Sequence, residues 1–257
     1  HQLGNAGGRV GPELSEFVKQ LIDNQNGIEG SSLTYSTEQI AEIYREFSSV
    51  TRGLQELSNS IAFAAEALLD ARAKEHMQHG VSRRLGTLRR CMVNIFQLFP
   101  PSQTSPIDSD ALSDVQINLH AFAINLYGIF DNFAWTFVLR HGLESTIGDR
   151  RRIGLFLRHT QRFLPDVLRM HMTSHTITTW HEDYLKSYRD ALSHRIPMYV
   201  PPSVLTPDEV QRYGELQQER IACIRSHSWE RLEEIKLEQD GLGVACPMFV
   251  HSFAEGG

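Results

Sequence analysis

Apolar residues recur along this chain at spacings of three and four, the period of an α-helix, and almost nowhere alternate as a half-buried strand would require. Pro12 followed by Leu14, Phe17, Val18, Leu21 and Ile22 marks a first helix, closed by Asn26-Gly27. Ser36 or Thr37, with Glu38 to follow, opens a longer one in which Ile40, Ile43, Tyr44, Phe47, Val50 and Leu54 share a face. The Ala-rich stretch 60–77 continues as helix, His79-Gly80 is expected to break it, and Leu85 to Phe99 forms another that stops at Pro100-Pro101. Residues 101–110 (PSQTSPIDSD) read as a linker.

Asp110 or Ser113 is then expected to cap the most apolar segment, residues 115–139. Its length raises the question of a membrane span, but Asn118, His120, Asn125, Asp131 and Asn132 interrupt it. Burying so many polar groups in lipid is costly, so the expectation is the central helix of a soluble bundle with no membrane partner. Residues 150–164 and 165–172 read as helices, with Pro165 as the first residue of the second. Thr178 or Thr179 opens a further helix through Trp180, Tyr184, Leu185, Tyr188 and Leu192, which must end near Arg195 because Ile196 precedes Pro197. Residues 208–239 read as one long polar helix behind a Thr206-Pro207 start. The fold class expected is all-α, a helical bundle with short extended segments near 196–200 and 244–253 that could pair with each other. Residues 1–100 are expected to form an N-terminal helical region packed on a bundle of residues 101–257, or the two to form one continuous domain.

Charge changes the picture more than composition does. The net charge of -6 conceals two basic blocks. Residues 72–100 carry six positive charges against one negative, and residues 139–169 carry seven arginines against three acids. Arginine outnumbers lysine 21 to 4, and the planar guanidinium suits bidentate contacts with phosphate. Arg150, Arg151, Arg152 and Arg158 are therefore candidate RNA-binding residues. A solvated helix face, or pairing with the acidic segments, explains the same blocks without a ligand. The three cysteines, Cys91, Cys223 and Cys246, are odd in number and far apart, which points to a reducing cytoplasm rather than a disulfide framework. His171 and His175 have the spacing of helical metal ligands but lack a third carboxylate ligand, so neither a metal nor any other cofactor is expected.

Arg–His pairs five to seven residues apart recur along the chain, among them Arg152/His159, Arg169/His175, Arg189/His194 and Arg220/His227, and of these only Arg189 is followed by a polar residue. The segment Arg189-Asp190-Ala191-Leu192-Ser193-His194 resembles the motif of the HEPN superfamily: Arg, a polar residue, a short spacer and His. Many of that superfamily's helical domains are metal-independent ribonucleases built as dimers. The resemblance rests on these six residues and a helical context over residues 107–240. It implies a homodimer acting on RNA, in settings such as toxin action or phage defence, with Arg189, Asp190 and His194 as catalytic residues.

The chemistry is consistent with those residue types. Metal-free cleavage of RNA needs a base for the 2′-OH proton and a cation for the anionic pentacovalent phosphorus. Histidine titrates near neutrality, and arginine offers a permanent charge on a fork of donors. Asp190 and His194 are four apart on one helix face, where the carboxylate could orient the imidazole. Arg189 and His194 are five apart, about 140° around an ideal helix, so they converge only if the helix unwinds or a second subunit contributes. Asp131, with Asn132, is expected to be buried and to need a partner such as Arg189 or His194. A non-catalytic HEPN-like module that binds nucleotide, RNA or protein, and a helical scaffold using residues 208–239, remain the alternatives. In the simplest of these, Arg189 and His194 only cap carbonyls at a helix end.

Overall fold

A computed structural model describes residues 35–245 and Phe249. The fold is all-α, and among the described residues no β-strand forms. Ser36 starts helix α1 (Thr37–Glu66): its hydroxyl accepts the Gln39 amide at 3.3 Å, and the Gln39 side-chain oxygen accepts the Ser36 amide at 2.8 Å. This reciprocal pair satisfies two amides that the first turn leaves without intrahelical partners. The helix expected from Pro12 to Ile22 lies outside the described residues.

The Ala-rich run does not carry α1 to residue 77. The helix ends at Glu66, and Asp70 starts a new one by accepting the Ala73 amide at 2.7 Å. From there α2 (Ala71–Glu75) passes into a π-helical segment (His76–Ser82) and on into α3 (Arg83–Leu98). The break expected at His79-Gly80 is therefore a change of helical type, and the true break lies nine to thirteen residues earlier, over 67–70. Gly80 is needed for a different reason: a Cβ built on it would lie 2.1 Å from Asn132 Oδ1. Glycine here permits close approach to the following long helix rather than ending a helix.

That helix, α4 (Ser109–Arg140), is capped by Asp108, whose Oδ1 accepts the Asp110 amide at 3.0 Å and the Ala111 amide at 2.9 Å. Asp108 thus takes the role expected of Asp110 or Ser113. α4 is long and apolar enough to match a membrane span by composition. Its apolar positions are used in side-chain clusters. Ile129 packs with Ile61, Val81, Leu85 and Leu88, while Ala134 and Val138 pack with Ile147, Ile153, Leu155, Leu164 and Met172. Each fully buried aliphatic side chain of this kind stabilises the fold by about 1.5–3 kcal/mol.

After the short α5 (Glu144–Ile147), the helix expected over 150–164 is replaced by two shorter pieces, a 3₁₀ turn (Arg150–Arg152) and α6 (Arg158–Gln161). Buried Thr160 explains the interruption, since its hydroxyl donates to the Arg152 carbonyl at 3.2 Å and accepts the Gly154 amide at 3.1 Å. A continuous helix would forfeit that bracket. α7 (Asp166–Met172) has Pro165 as its cap rather than its first residue, and α8 (His175–Trp180) starts from Ser174, ahead of the expected Thr178. A second π-helical segment (His181–Lys186) leads into α9 (Ser187–His194), which stops where expected, with Arg195 extended at φ -133° and ψ -160°.

Thr206 and Glu209 form the capping box that opens α10 (Pro207–Ser226). The single helix expected over 208–239 is instead two. His227 adopts a left-handed φ of 58°, the Ser228 amide closes on the Cys223 carbonyl at 3.0 Å, and α11 (Trp229–Asp240) turns back along α10. Leu216, Cys223 and Ile235 form the core between the two. Val244 pairs with Val204 in an isolated bridge, not with residues 196–200. Cys246 and most of the expected 244–253 segment lie outside the described residues.

The described chain falls into two compact units. One gathers residues 35–44, 95–117 and 199–245 and contains the α10–α11 hairpin. The other gathers residues 45–94 and 118–198 and holds both π-helical segments and the RDALSH motif.

Candidate functional site

α9 presents the motif because Leu185 and Ala191 are buried, which turns Arg189 and Asp190 toward the half-exposed surface. Arg189 is fixed from two directions. Its Nη2 donates to the Tyr127 hydroxyl at 3.0 Å while its guanidinium carbon lies 4.4 Å over the Tyr127 ring, and its Nη1 meets Asp190 Oδ1 at 2.9 Å. Hydrogen bond, ring quadrupole and ion pair together hold one orientation of a side chain that otherwise has many rotamers. Its Nε–H is buried without a partner.

Beneath this group lies His181, from the π-helical segment. Its ring stacks on Phe156 with centroids 3.6 Å apart and on Tyr127 at 6.2 Å, its Nδ1 meets Glu182 Oε1 at 3.1 Å, and its Nε2 is buried with no partner. Burial pushes the His181 pKa below its ordinary value, and the neighbouring Glu182 carboxylate only partly opposes this.

Asp190 and His194 share a helix face, yet Asp190 is engaged with Arg189 rather than with the imidazole. His194 is the last residue of α9 and is exposed, and its side chain holds no hydrogen bond or ion pair among the described residues. The chain just beyond it is fixed: Met198 is buried, and its carbonyl accepts from His120 Nε2 at 2.7 Å.

Asp131 departs from expectation. It is exposed rather than buried, because the apolar clusters take Phe130, Ala134 and Val138 and leave position 131 outward. It lies within electrostatic reach of Arg189 and Arg84, but crowding by surrounding protein outweighs both guanidinium groups and raises its pKa. Asn132 does not join this group. It faces the first π-helical segment, where its Nδ2 donates to the Gly128 carbonyl at 2.7 Å and its Oδ1 meets His76 Nδ1 at 3.1 Å. Arg150, Arg151, Arg152 and Arg158 are all exposed, with Arg151 held by Asp149 at 3.0 Å. Trp135 lies half-buried against the apolar clusters and stacks on His76, with centroids 5.7 Å apart.

Tyr127, His181 and Arg84 belong to the site's surroundings without belonging to any motif. Tyr127 stands four residues before Asp131 on α4, so the helical period that singled out Asp131 pointed to it as well. Among the described residues, no three His, Cys, Asp or Glu side chains gather as around a metal ion. No family model, curated protein or solved structure matches this chain.

Proposed function

We propose that this chain is a HEPN-like, metal-independent endoribonuclease that acts as a dimer through Arg189, Asp190 and His194. The observation that carries the reading is the division of labour within one short helix: Arg189 is immobilised by Tyr127 and Asp190, while His194 is exposed and unengaged at the helix end. A cation that stabilises a developing charge gains from being fixed in advance, whereas a proton-transfer group must be open to its substrate. In this scheme His194 removes the 2′-OH proton and O2′ bonds to phosphorus. The bond from phosphorus to O5′ breaks, and a proton returns to O5′. Arg189 balances the charge on the phosphoryl oxygens, and Asp190 positions Arg189. Five residues of helix keep Arg189 and His194 of one chain on different faces, so the second copy completes the set. Arg150, Arg151, Arg152 and Arg158 would guide the RNA backbone.

The test is cleavage of RNA in excess chelator by the wild type and by His194→Ala, with sedimentation equilibrium on both. The expected result is a dimer whose products end in 2′,3′-cyclic phosphate, and a loss of about a hundredfold or more in the variant. A monomer, a requirement for a divalent ion, or 3′-hydroxyl products would overturn it. Intact dimers that cleave no RNA would leave a binding module.

A further inference from the structure

An open cleft of about 550 Å³ lies where the π-helical segment His76–Ser82 meets α4. This is the size range of a small-molecule site. Two histidines and two arginines face it, His76, His79, Arg83 and Arg84, against one carboxylate, Glu75. We propose that this cleft binds a phosphate monoester carried on a hydroxyl-bearing body, such as a nucleoside monophosphate. The inference does not rest on the ribonuclease reading, since it uses none of Arg189, Asp190 and His194.

Three features separate this cleft from a solvated basic face. Arg84 is fixed: its Nη1 donates to Asn125 Oδ1 at 3.0 Å, while Asn125 Nδ2 is anchored on the Ala121 carbonyl at 2.7 Å. Its guanidinium lies so close to α4 that a Cβ on Gly128 would meet Arg84 Cζ at 2.5 Å. The neighbouring Arg83 and His79 are exposed and hold no hydrogen bond or ion pair through their side chains among the described residues. The site thus combines one positioned cation with two open donor-bearing groups, an arrangement suited to several phosphoryl oxygens at once.

His76 narrows the ligand class. Asn132 must donate through Nδ2 to the Gly128 carbonyl, so its Oδ1 is the acceptor and His76 Nδ1 is the donor. With Nδ1 donating to Asn132, Nε2 is the ring nitrogen left for a ligand and in the neutral imidazole is an acceptor, and stacking on Trp135 fixes the ring. An acceptor among arginines matches an anion that still carries a proton. A phosphate monoester does so in part near neutrality, and a phosphodiester does not. Glu75 and the Thr87 hydroxyl, also lining the cleft, can accept from hydroxyl groups on the rest of the ligand.

The experiment is isothermal titration of the full chain with AMP, with inorganic phosphate and with the dinucleoside monophosphate ApA, which has only a diester. The expected result is that AMP binds and inorganic phosphate competes, with ApA at least about tenfold weaker. Tighter binding of AMP than of inorganic phosphate would show that the nucleoside is held as well and supports the proposal, whereas inorganic phosphate binding as tightly as AMP would leave the phosphoryl group alone as the ligand and overturn the hydroxyl-bearing body. His79→Ala and Arg83→Gln should each weaken AMP about tenfold while the thermal midpoint stays near wild type. Arg189→Ala should leave AMP binding unchanged. No binding at millimolar AMP, equal binding of ApA, indifference to Arg83→Gln, or equal loss in Arg189→Ala would overturn it.

Discussion

Gly80→Ala probes the contact between the first π-helical segment and α4. An added Cβ would meet Asn132 Oδ1 at 2.1 Å, Cγ at 2.4 Å and Cβ at 3.0 Å. A clash with only the tip of the side chain could be relieved by a small rotation. A contact that reaches the branch atom requires Asn132 to leave its rotamer, and with it the bonds to His76 Nδ1 and the Gly128 carbonyl. Two bonds at about 1 kcal/mol each and overpacking of about 1–3 kcal/mol oppose a helix-propensity gain of about 1 kcal/mol from alanine. The net cost should be about 2–4 kcal/mol. Asn132→Ala removes the Oδ1 and Cγ contacts at the cost of the same two bonds and leaves only the 3.0 Å approach of the two Cβ atoms, which a shift of a few tenths of an ångström relieves. In that background the Gly80→Ala substitution should be neutral, or stabilising by up to about 1 kcal/mol. Guanidinium denaturation of the four proteins gives the coupling directly, provided the slopes agree. Equal costs of Gly80→Ala in both backgrounds would refute the contact as the reason for glycine.

Tyr127→Phe keeps the ring under Arg189 and removes only the hydroxyl. Because Arg189 is 31% exposed, it should cost about 1 kcal/mol or less in denaturation while cleavage falls several-fold; wild-type values of both would show that the bond is idle. Burial holds the His181 pKa below 6.5, so in the range between the two pKa values the unfolded chain binds the extra proton. Stability from neutral His181 should be complete above about pH 6.5 and fall as pH drops toward the folded pKa. His181→Phe, which can still stack on Phe156, should flatten that part of the curve, and an unchanged slope would count against it. Crowding raises the Asp131 pKa, so Asp131→Asn should raise the thermal midpoint at neutral pH, a difference that should vanish below about pH 4. Thr206→Ala opens the capping box and should cost about 1 kcal/mol by the same denaturation assay.

The long helices were legible because their signals are local. Apolar spacing located α1, α3 and α4, Thr206-Pro207 announced α10, and Pro197 marked the end of α9. What was misread depends on contacts between elements. Gly80 has the identity of a helix breaker, but its role is set by Asn132, 52 residues away. The turn at His227 carries neither Gly nor Pro; its left-handed backbone follows from burying Leu216, Cys223 and Ile235 together. The stretch 150–164 keeps helical spacing, yet the Thr160 hydroxyl holds its backbone in another form. At the candidate site the order of Arg189, Asp190 and His194 was readable, but the partners were not. Asp131 appeared buried because its neighbours are apolar, although a helix of that length keeps one face in solvent. Tyr127 lies 62 positions before Arg189 and has no motif of its own.

The π-helical segment at His181–Lys186 also sets the phase of everything after it. In an α-helix each residue advances the side-chain direction by about 100°, and a π segment accommodates an extra residue within the same length of axis. The face that α8 establishes with His175–Trp180 is therefore not the face that α9 inherits, and Arg189 meets Tyr127 only because the phase has been reset. Deleting a single residue between 181 and 186 would remove the extra residue and leave Arg189, Asp190 and His194 facing nearly as they do, whereas a regular α-helix formed by the unaltered sequence would swing all three together by about 100°. The motif would survive in sequence and be lost in direction, so its orientation is encoded upstream, by an insertion that the six motif residues do not contain.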